Sequence, residues 1–355
     1  MHVIPFSPPL MGSNQHFQTI SGHLLAKVPG YMPRKVGLLN ERAVIPCQDA
    51  TGDRLLVYVH RFMEETHHAK PAVVLLHGLE GSSESVYIVK MAERLLRAGF
   101  HVVRMNMRSC GNSLPYARHP YNAGLTVDLE SVLDFTREHI SPEIAVVGFS
   151  LGANVVIKML GEDREERTRQ LRQRGSLSKA KKRSRPAADV FVAVSPPLEL
   201  IKSCQLLDSP PCRLYQHIFL KDIKNRVRHG KFGHLNDLER ELKHIKTFFE
   251  FDHRFTAPSA GFRGALEYYN HCASGLFIEN VQVPGLILHS RDDPMIHPVG
   301  WDDTDWRRLP HITAELTRHG GHVGWIAKKH ALFPDRRWSD YRVVQFLCEW
   351  RDCLT

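Results

Sequence analysis

Residues 146–154 read Val-Val-Gly-Phe-Ser-Leu-Gly-Ala-Asn, so Ser150 has Gly148 and Gly152 two positions away on either side. A serine in that setting becomes a nucleophile if a base takes its proton. Two later segments carry groups that would complete such a relay. Residues 289–294, His-Ser-Arg-Asp-Asp-Pro, hold Asp292 and Asp293; residues 318–325, Arg-His-Gly-Gly-His-Val-Gly-Trp, hold His322. A histidine can accept the hydroxyl proton, while a carboxylate behind it fixes the tautomer and stabilises the imidazolium. The pentapeptide alone is weak: at about 7% glycine, chance supplies Gly-x-Ser-x-Gly in roughly one chain in ten of this length. Its weight has to come from the elements that place it.

Those elements alternate. Strand-length apolar runs at Ala72–Leu76, Phe100–Met105, Ile144–Val147, Val190–Val194 and Gly285–His289 are separated by segments of helical spacing at Ser85–Ala98, Leu125–His139 and Leu151–Leu160. Continuous apolar runs of this length suit strands buried on both faces, so the pattern predicts an α/β protein with a parallel sheet covered by helices. Arg54–His60 reads as an early antiparallel strand near an edge, His311–Thr317 as the last strand and Trp338–Trp350 as a closing helix. From Ser195-Pro196-Pro197 to about Gly275 the chain is polar, aromatic and helix-like. This predicts a helical cap (196–275) inserted into a core made of 1–195 and 276–355. Its aromatic residues, Phe248, Phe249, Phe251, Phe255, Tyr268 and Tyr269, either line a pocket or pack the cap on the sheet.

Ser150 then falls between a strand and a helix, as a nucleophile elbow requires, and the aspartates and His322 each follow a predicted strand. Ligand sites in open α/β sheets gather at those strand ends. The segment His77-Gly78-Leu79-Glu80-Gly81 follows the strand Ala72–Leu76. In this architecture that loop and the residue after the nucleophile supply the oxyanion-hole N–H groups, here Leu79 and Leu151. His77 reads as a structural hydrogen-bonding residue of that loop, and Asn122 and Asp128 as anchors of a helix start.

Composition narrows the class. The 355 residues are 43% hydrophobic, with a formal net charge of +9, and no apolar run approaches the length of a membrane span. Seven cysteines without framework spacing read as reduced thiols of a cytoplasmic protein, with no metal site. Much of the positive charge sits in residues 161–186, read as a solvated basic surface loop, with peripheral contact to an anionic membrane as its second reading. No nucleic-acid module is present. Oligomeric state is not readable.

Taken together, Phe6-Ser-Pro-Pro-Leu10, Asn14-Gln-His-Phe-Gln-Thr-Ile20, Leu75-Leu-His-Gly-Leu-Glu-Gly81, Gly148-Phe-Ser-Leu-Gly-Ala-Asn154, Arg291-Asp-Asp-Pro294 and Gly320-Gly-His-Val-Gly-Trp325 resemble the α/β-hydrolase superfamily, and within it the YheT-like esterases and their eukaryotic relatives. Ser109 departs from the glycine usual there. The resemblance implies an α/β-hydrolase fold with a mostly parallel eight-stranded sheet, and a cofactor-free, metal-free serine hydrolase acting on carboxylic esters. Medium- or long-chain acyl or lipid esters are the expected small-molecule substrates. It also favours Asp293, next to the proline, over Asp292 as the acid. Two other readings stand beside it: acyl transfer to an alcohol, and a non-catalytic binding protein on the same fold. Epoxide and haloalkane hydrolysis need a carboxylate where Ser150 stands.

Overall fold

The computed structural model describes residues 3–9, 12–24, 38–63, 70–162, 185–230, 232 and 238–354. The basic segment expected to form a surface loop lies, over residues 163–184, outside the described residues. Eight strands form one sheet: β1 (Leu38–Pro46), β2 (Arg54–Phe62), β3 (Ala72–Leu76), β4 (His101–Met105), β5 (Ile144–Phe149), β6 (Val190–Val194), β7 (Gly285–Ser290) and β8 (Ile312–Thr317). Their spatial order is β1-β2-β4-β3-β5-β6-β7-β8. β1 pairs antiparallel with β2, and β2 antiparallel with β4; the remaining pairings are parallel. β2 is therefore one strand in from the edge, because β1 covers it.

The apolar runs are continuous because both faces are covered. In β3, Val74 and Leu76 enter the core on one side while Val73 and Leu75 enter the core on the other, as the two-residue side-chain period of a strand demands. Helices α3 (Thr126–His139) and α4 (Leu151–Gly161) close the first side; α2 (Val86–Arg97) and the C-terminal helix α12 (Trp338–Asp352) close the second. A further helix, α1 (Gln15–Leu24), precedes the sheet.

Between β6 and β7 lie helices α5 (Leu200–Leu207), α6 (Arg213–His229), α7 (Leu238–His244), α8 (Phe248–Phe251), α9 (Ala257–Ser259) and α10 (Ala265–Cys272), with a π-helical turn over Asp252–Thr256. They enclose their own core, in which Leu220, Ile223, Phe248, Phe251 and Tyr268 are buried. Leu79 and Leu151 of the sheet loops pack against that core. The segment leaves and rejoins the sheet at one place, where the Gly275 N–H donates to the Leu198 carbonyl at 2.9 Å. After it, the short helix α11 (Val299–Asp302) links β7 to β8.

One buried ion cluster holds loops from distant parts of the chain. Arg108, 1% exposed, donates to Asp49 at 2.8 Å, to Asp53 at 3.1 Å and to both carboxylate oxygens of Asp128. Asp128 does lie in the first turn of α3, but its carboxylate serves Arg108. Asn122 caps the turn before α3, its Oδ1 accepting the Gly124 N–H at 2.9 Å.

Candidate active site

Ser150 sits on the one-residue corner between β5 and α4 with φ 53° and ψ −122°. That is a costly conformation for a side chain with a Cβ, held by what surrounds it. Its glycine neighbours are there for close approach. A Cβ on Gly148 would stand 2.6 Å from the Gly152 carbonyl oxygen, and one on Gly152 would stand 2.4 Å from the His77 carbonyl oxygen. The corner thus pushes Ser150 out beyond the sheet and seats α4 directly against the loop after β3.

Three loop ends meet at this corner. His322 Nε2 is 2.9 Å from Ser150 Oγ, and His322 Nδ1 is 2.7 Å from Asp293 Oδ2. A carboxylate only accepts, so Nδ1 carries the proton and donates to Asp293; Nε2 is left as the acceptor for the serine hydroxyl. Asp293 and His322 are both buried. Burial pushes the Asp293 carboxyl up, but the facing His322 and the hydrogen bonds outweigh it and hold the group below its ordinary value. Asp293 Oδ1 meanwhile accepts the N–H groups of Met295 and Ile296 at 2.8 and 3.0 Å.

Asp292 faces elsewhere. Its Oδ1 accepts the Gly321 N–H at 3.0 Å, and its Oδ2 meets His319 Nδ1 at 3.1 Å. Adjacent carboxylates therefore divide the work: one touches the His322 ring, the other ties down the loop that carries it. Helix α1 holds that loop from the far side. Thr19 Oγ1 accepts the His322 N–H at 2.9 Å, and Gln18 bonds both the N–H and the carbonyl of Ile326. The approach is close enough that a Cβ on Gly321 would stand 2.5 Å from the Gln15 carbonyl oxygen, and one on Gly324 2.5 Å from that of Gln18. The Gln-x-x-Gln-Thr segment of the N-terminal signature thus acts as a buttress for His322, a role that nothing in its hydropathy reveals.

On the other side of Ser150 runs the loop after β3. His77 is fully buried; its Nδ1–H donates to the Gly78 carbonyl and its Nε2 accepts the Met107 N–H at 3.0 Å. Burial pushes this imidazole down to about 4, so it stays neutral and structural. The N–H of Gly78 goes to the Tyr87 hydroxyl and that of Glu80 to the Tyr121 hydroxyl. Between them, the Leu79 N–H has no acceptor among the described residues, and neither has the Leu151 N–H at the first position of α4. Both leucines line the pocket that Ser150 opens into. Phe248, Phe251, Tyr268 and Tyr269 line it too; Phe255 borders a neighbouring cavity, and Phe249 is exposed. Among the described residues no group of three or more metal-ligating side chains gathers, and no helix is long and apolar enough to cross a membrane.

This sheet order with a serine corner after the fifth strand is that of the α/β-hydrolases. The family model described as "alpha/beta hydrolase fold" matches residues 71–169, and the chain has that fold. Along nearly its whole length the chain is similar to a YheT esterase. It is 28% identical to the Escherichia coli protein "Putative esterase YheT" over 345 residues, covering 96% of this chain and 92% of that one. It is also 28% identical to the Saccharomyces cerevisiae "Monoacylglycerol lipase" over 303 residues, 81% of this chain but 61% of the yeast protein. The same fold occurs in the Pyrococcus furiosus esterase Pf2001, with a TM-score of 0.56, 18% identity and coverage of 99% and 100%.

Proposed function

We propose that this chain hydrolyses carboxylic esters through a covalent acyl-enzyme on Ser150. The observation that carries the reading is the continuous relay from Ser150 Oγ to His322 Nε2 and from His322 Nδ1 to Asp293, at 2.9 and 2.7 Å. Names of the relatives support the ester as substrate: one is called an esterase and one a monoacylglycerol lipase.

In this mechanism Ser150 Oγ attacks the acyl carbon as His322 Nε2 removes its proton. The imidazolium is stabilised by Asp293, which stays ionised. The carbonyl oxygen becomes an oxyanion and receives the N–H groups of Leu79 and Leu151, each worth about 3 kcal/mol in the transition state. His322 returns the proton to the departing alkoxide, which leaves as the alcohol. Water then attacks the acyl-enzyme with His322 again as base, releasing the acid and restoring the serine. Residues 196–275 act as the cap: with Leu79 and Leu151 on its floor and aromatic walls, the pocket suits a medium or long acyl chain. The buried thiols suit a cytoplasmic setting.

The test is labelling with a fluorophosphonate probe, followed by an ester panel of increasing acyl length. Wild type is expected to label and to cleave, and Ser150→Ala to do neither. Labelling that survives Ser150→Ala would reject the mechanism.

A further inference from the structure

The pocket that holds Ser150 has apolar walls, among them Leu200, Leu207, Ile223, Phe248 and Phe251, yet it also holds one carboxyl, Asp252. A pocket meant only for hydrocarbon has no use for a carboxyl, whose desolvation is costly. Asp252 lies in the π-helical turn after α8, and among the described residues no cation pairs with it. It accepts the Tyr269 hydroxyl at 2.7 Å, with the Thr256 hydroxyl beside it. Tyr269 and Thr256 line the same pocket.

The neighbouring cap carboxylate provides the contrast. Asp208 accepts the Phe248 and Phe249 N–H groups at 2.8 and 3.1 Å and the Gln216 side-chain amide at 2.7 Å. Its acceptor sites are consumed in starting α8, and it does not line the pocket. A carboxylate offers about four acceptor sites; Asp252 leaves part of that capacity unfilled and borders the cavity. Burial, with the like charge of Asp208 adding to it, pushes the Asp252 carboxyl up to about 6 despite its two hydroxyl neighbours. The same pocket is also lined by the cationic Arg226, which favours a neutral donor there over a second cation.

We infer that Asp252, with Tyr269 and Thr256, is a hydroxyl-recognising subsite, and that the preferred substrate is an ester bearing a free hydroxyl in addition to its scissile bond. The subsite rests on the reading of Ser150 as nucleophile. Its energetic basis is an added hydrogen bond: a hydroxylated ester brings a donor to the half-buried Asp252 carboxyl, a plain alkyl ester fills the pocket without one, and discrimination of this type exceeds what a methylene achieves.

Four octanoyl probes test it in the full chain: ethyl octanoate, monooctanoylglycerol, ethyl omega-hydroxyoctanoate and octanoylcholine. In wild type, kcat/KM for one of the two hydroxylated esters is expected to exceed that of ethyl octanoate by about 10-fold or more. Which of the two wins assigns the hydroxyl to the alcohol or to the acyl side. Asp252→Leu should bring the ratio of kcat/KM for the favoured hydroxylated ester over ethyl octanoate down to about 1. Tyr269→Phe keeps the ring packing and loses only the hydroxyl, so it should erode the same advantage if the leucine variant fails to fold. Equal loss on all esters would mean that Asp252 only ties cap helices together, and a preference for the choline ester would mean a cation site; either result overturns the inference. Fluorophosphonate labelling separates the two levels. An unlabelled wild type removes the nucleophile reading itself, whereas a labelled enzyme without a hydroxyl preference removes only the subsite.

Discussion

Arg226 Nε of helix α6 lies 3.1 Å from Glu80 Oε1, so that helix is ion-paired to the residue that directly follows Leu79. The pair is built into a larger contact. The guanidinium lies over the Tyr121 ring at 4.7 Å, and the Tyr121 hydroxyl donates to Glu80 Oε1 at 2.7 Å while accepting the Glu80 N–H. Glu80 holds a positive φ of 49°, which the paired side chain helps to fix. Burial opposes the charge on Arg226, but Glu80 more than compensates and keeps the guanidinium firmly protonated.

Removing one partner of a buried pair strands the other, at a cost of about 3–5 kcal/mol. Here the stranded group would be Glu80, one residue from a proposed oxyanion donor. Arg226→Ala is therefore expected to lower kcat by about 10-fold or more with a smaller change in KM, since a displaced Leu79 N–H weakens the transition state more than substrate binding. Steady-state kinetics on one ester decides it. A rise in KM at constant kcat would mean that Arg226 serves only to bind substrate.

The two aspartates should separate cleanly. Asp293→Asn keeps the shape but favours the wrong histidine tautomer, and kcat is expected to fall by about 10⁴-fold. Asp292→Asn keeps an oxygen for the Gly321 N–H and should stay within about 10-fold of wild type, with a lower Tm as its main signature. Parallel kinetics and thermal melts of the two variants give the comparison, and equal loss of kcat in both would remove the assignment.

Gly152→Ala tests the packing of the corner. The new methyl would stand 2.4 and 2.6 Å from the His77 and Leu76 carbonyl oxygens, and backbone on both sides gives little room to yield. Overpacking of this sort costs about 1–3 kcal/mol. Urea unfolding should register the loss. Labelling of Ser150 should slow as well, because the loop after β3 and the corner are what the methyl would force apart.

What the sequence discloses follows from which side chains do apolar work. Strands β3, β5, β6 and β7 are legible because each is an apolar run buried on both faces. β1 is hidden because Asn40, Glu41 and Arg42 face solvent along an edge. α1 is hidden because its buried members include Gln18, Thr19 and Ser21, whose value lies in hydrogen bonds and not in hydropathy. The same holds at the site. Ser150, Asp293, His322 and the Leu79 loop each carry a local signature of glycines or proline, and the fold has only to bring them together. Arg226 and Asp252 carry none: Arg226 is one of several charges along a polar helix and Asp252 stands between Glu250 and Arg254, where the ordinary expectation is a solvated face, and only the tertiary packing turns each one inward.

Buried imidazoles set the acid limit of the fold. Burial pushes His77 and His289 each down to about 4 from an ordinary value of 6.5. Between those values the unfolded chain binds protons that the folded chain refuses, so their stabilising contribution is complete above pH 6.5 and is lost progressively as pH falls toward 4. His289 isolates the effect. It stacks on Trp301 at 5.7 Å, and neither ring nitrogen has a hydrogen-bond partner among the described residues. His289→Phe can keep the stacking and removes one titrating group. Between about pH 7 and pH 5 the variant should lose about 2 kcal/mol less unfolding free energy than wild type. Urea titrations at several pH values measure this directly. An unchanged acid slope in His289→Phe would show that the ring titrates alike in the folded and unfolded chain, and that His289 has no part in the acid limit.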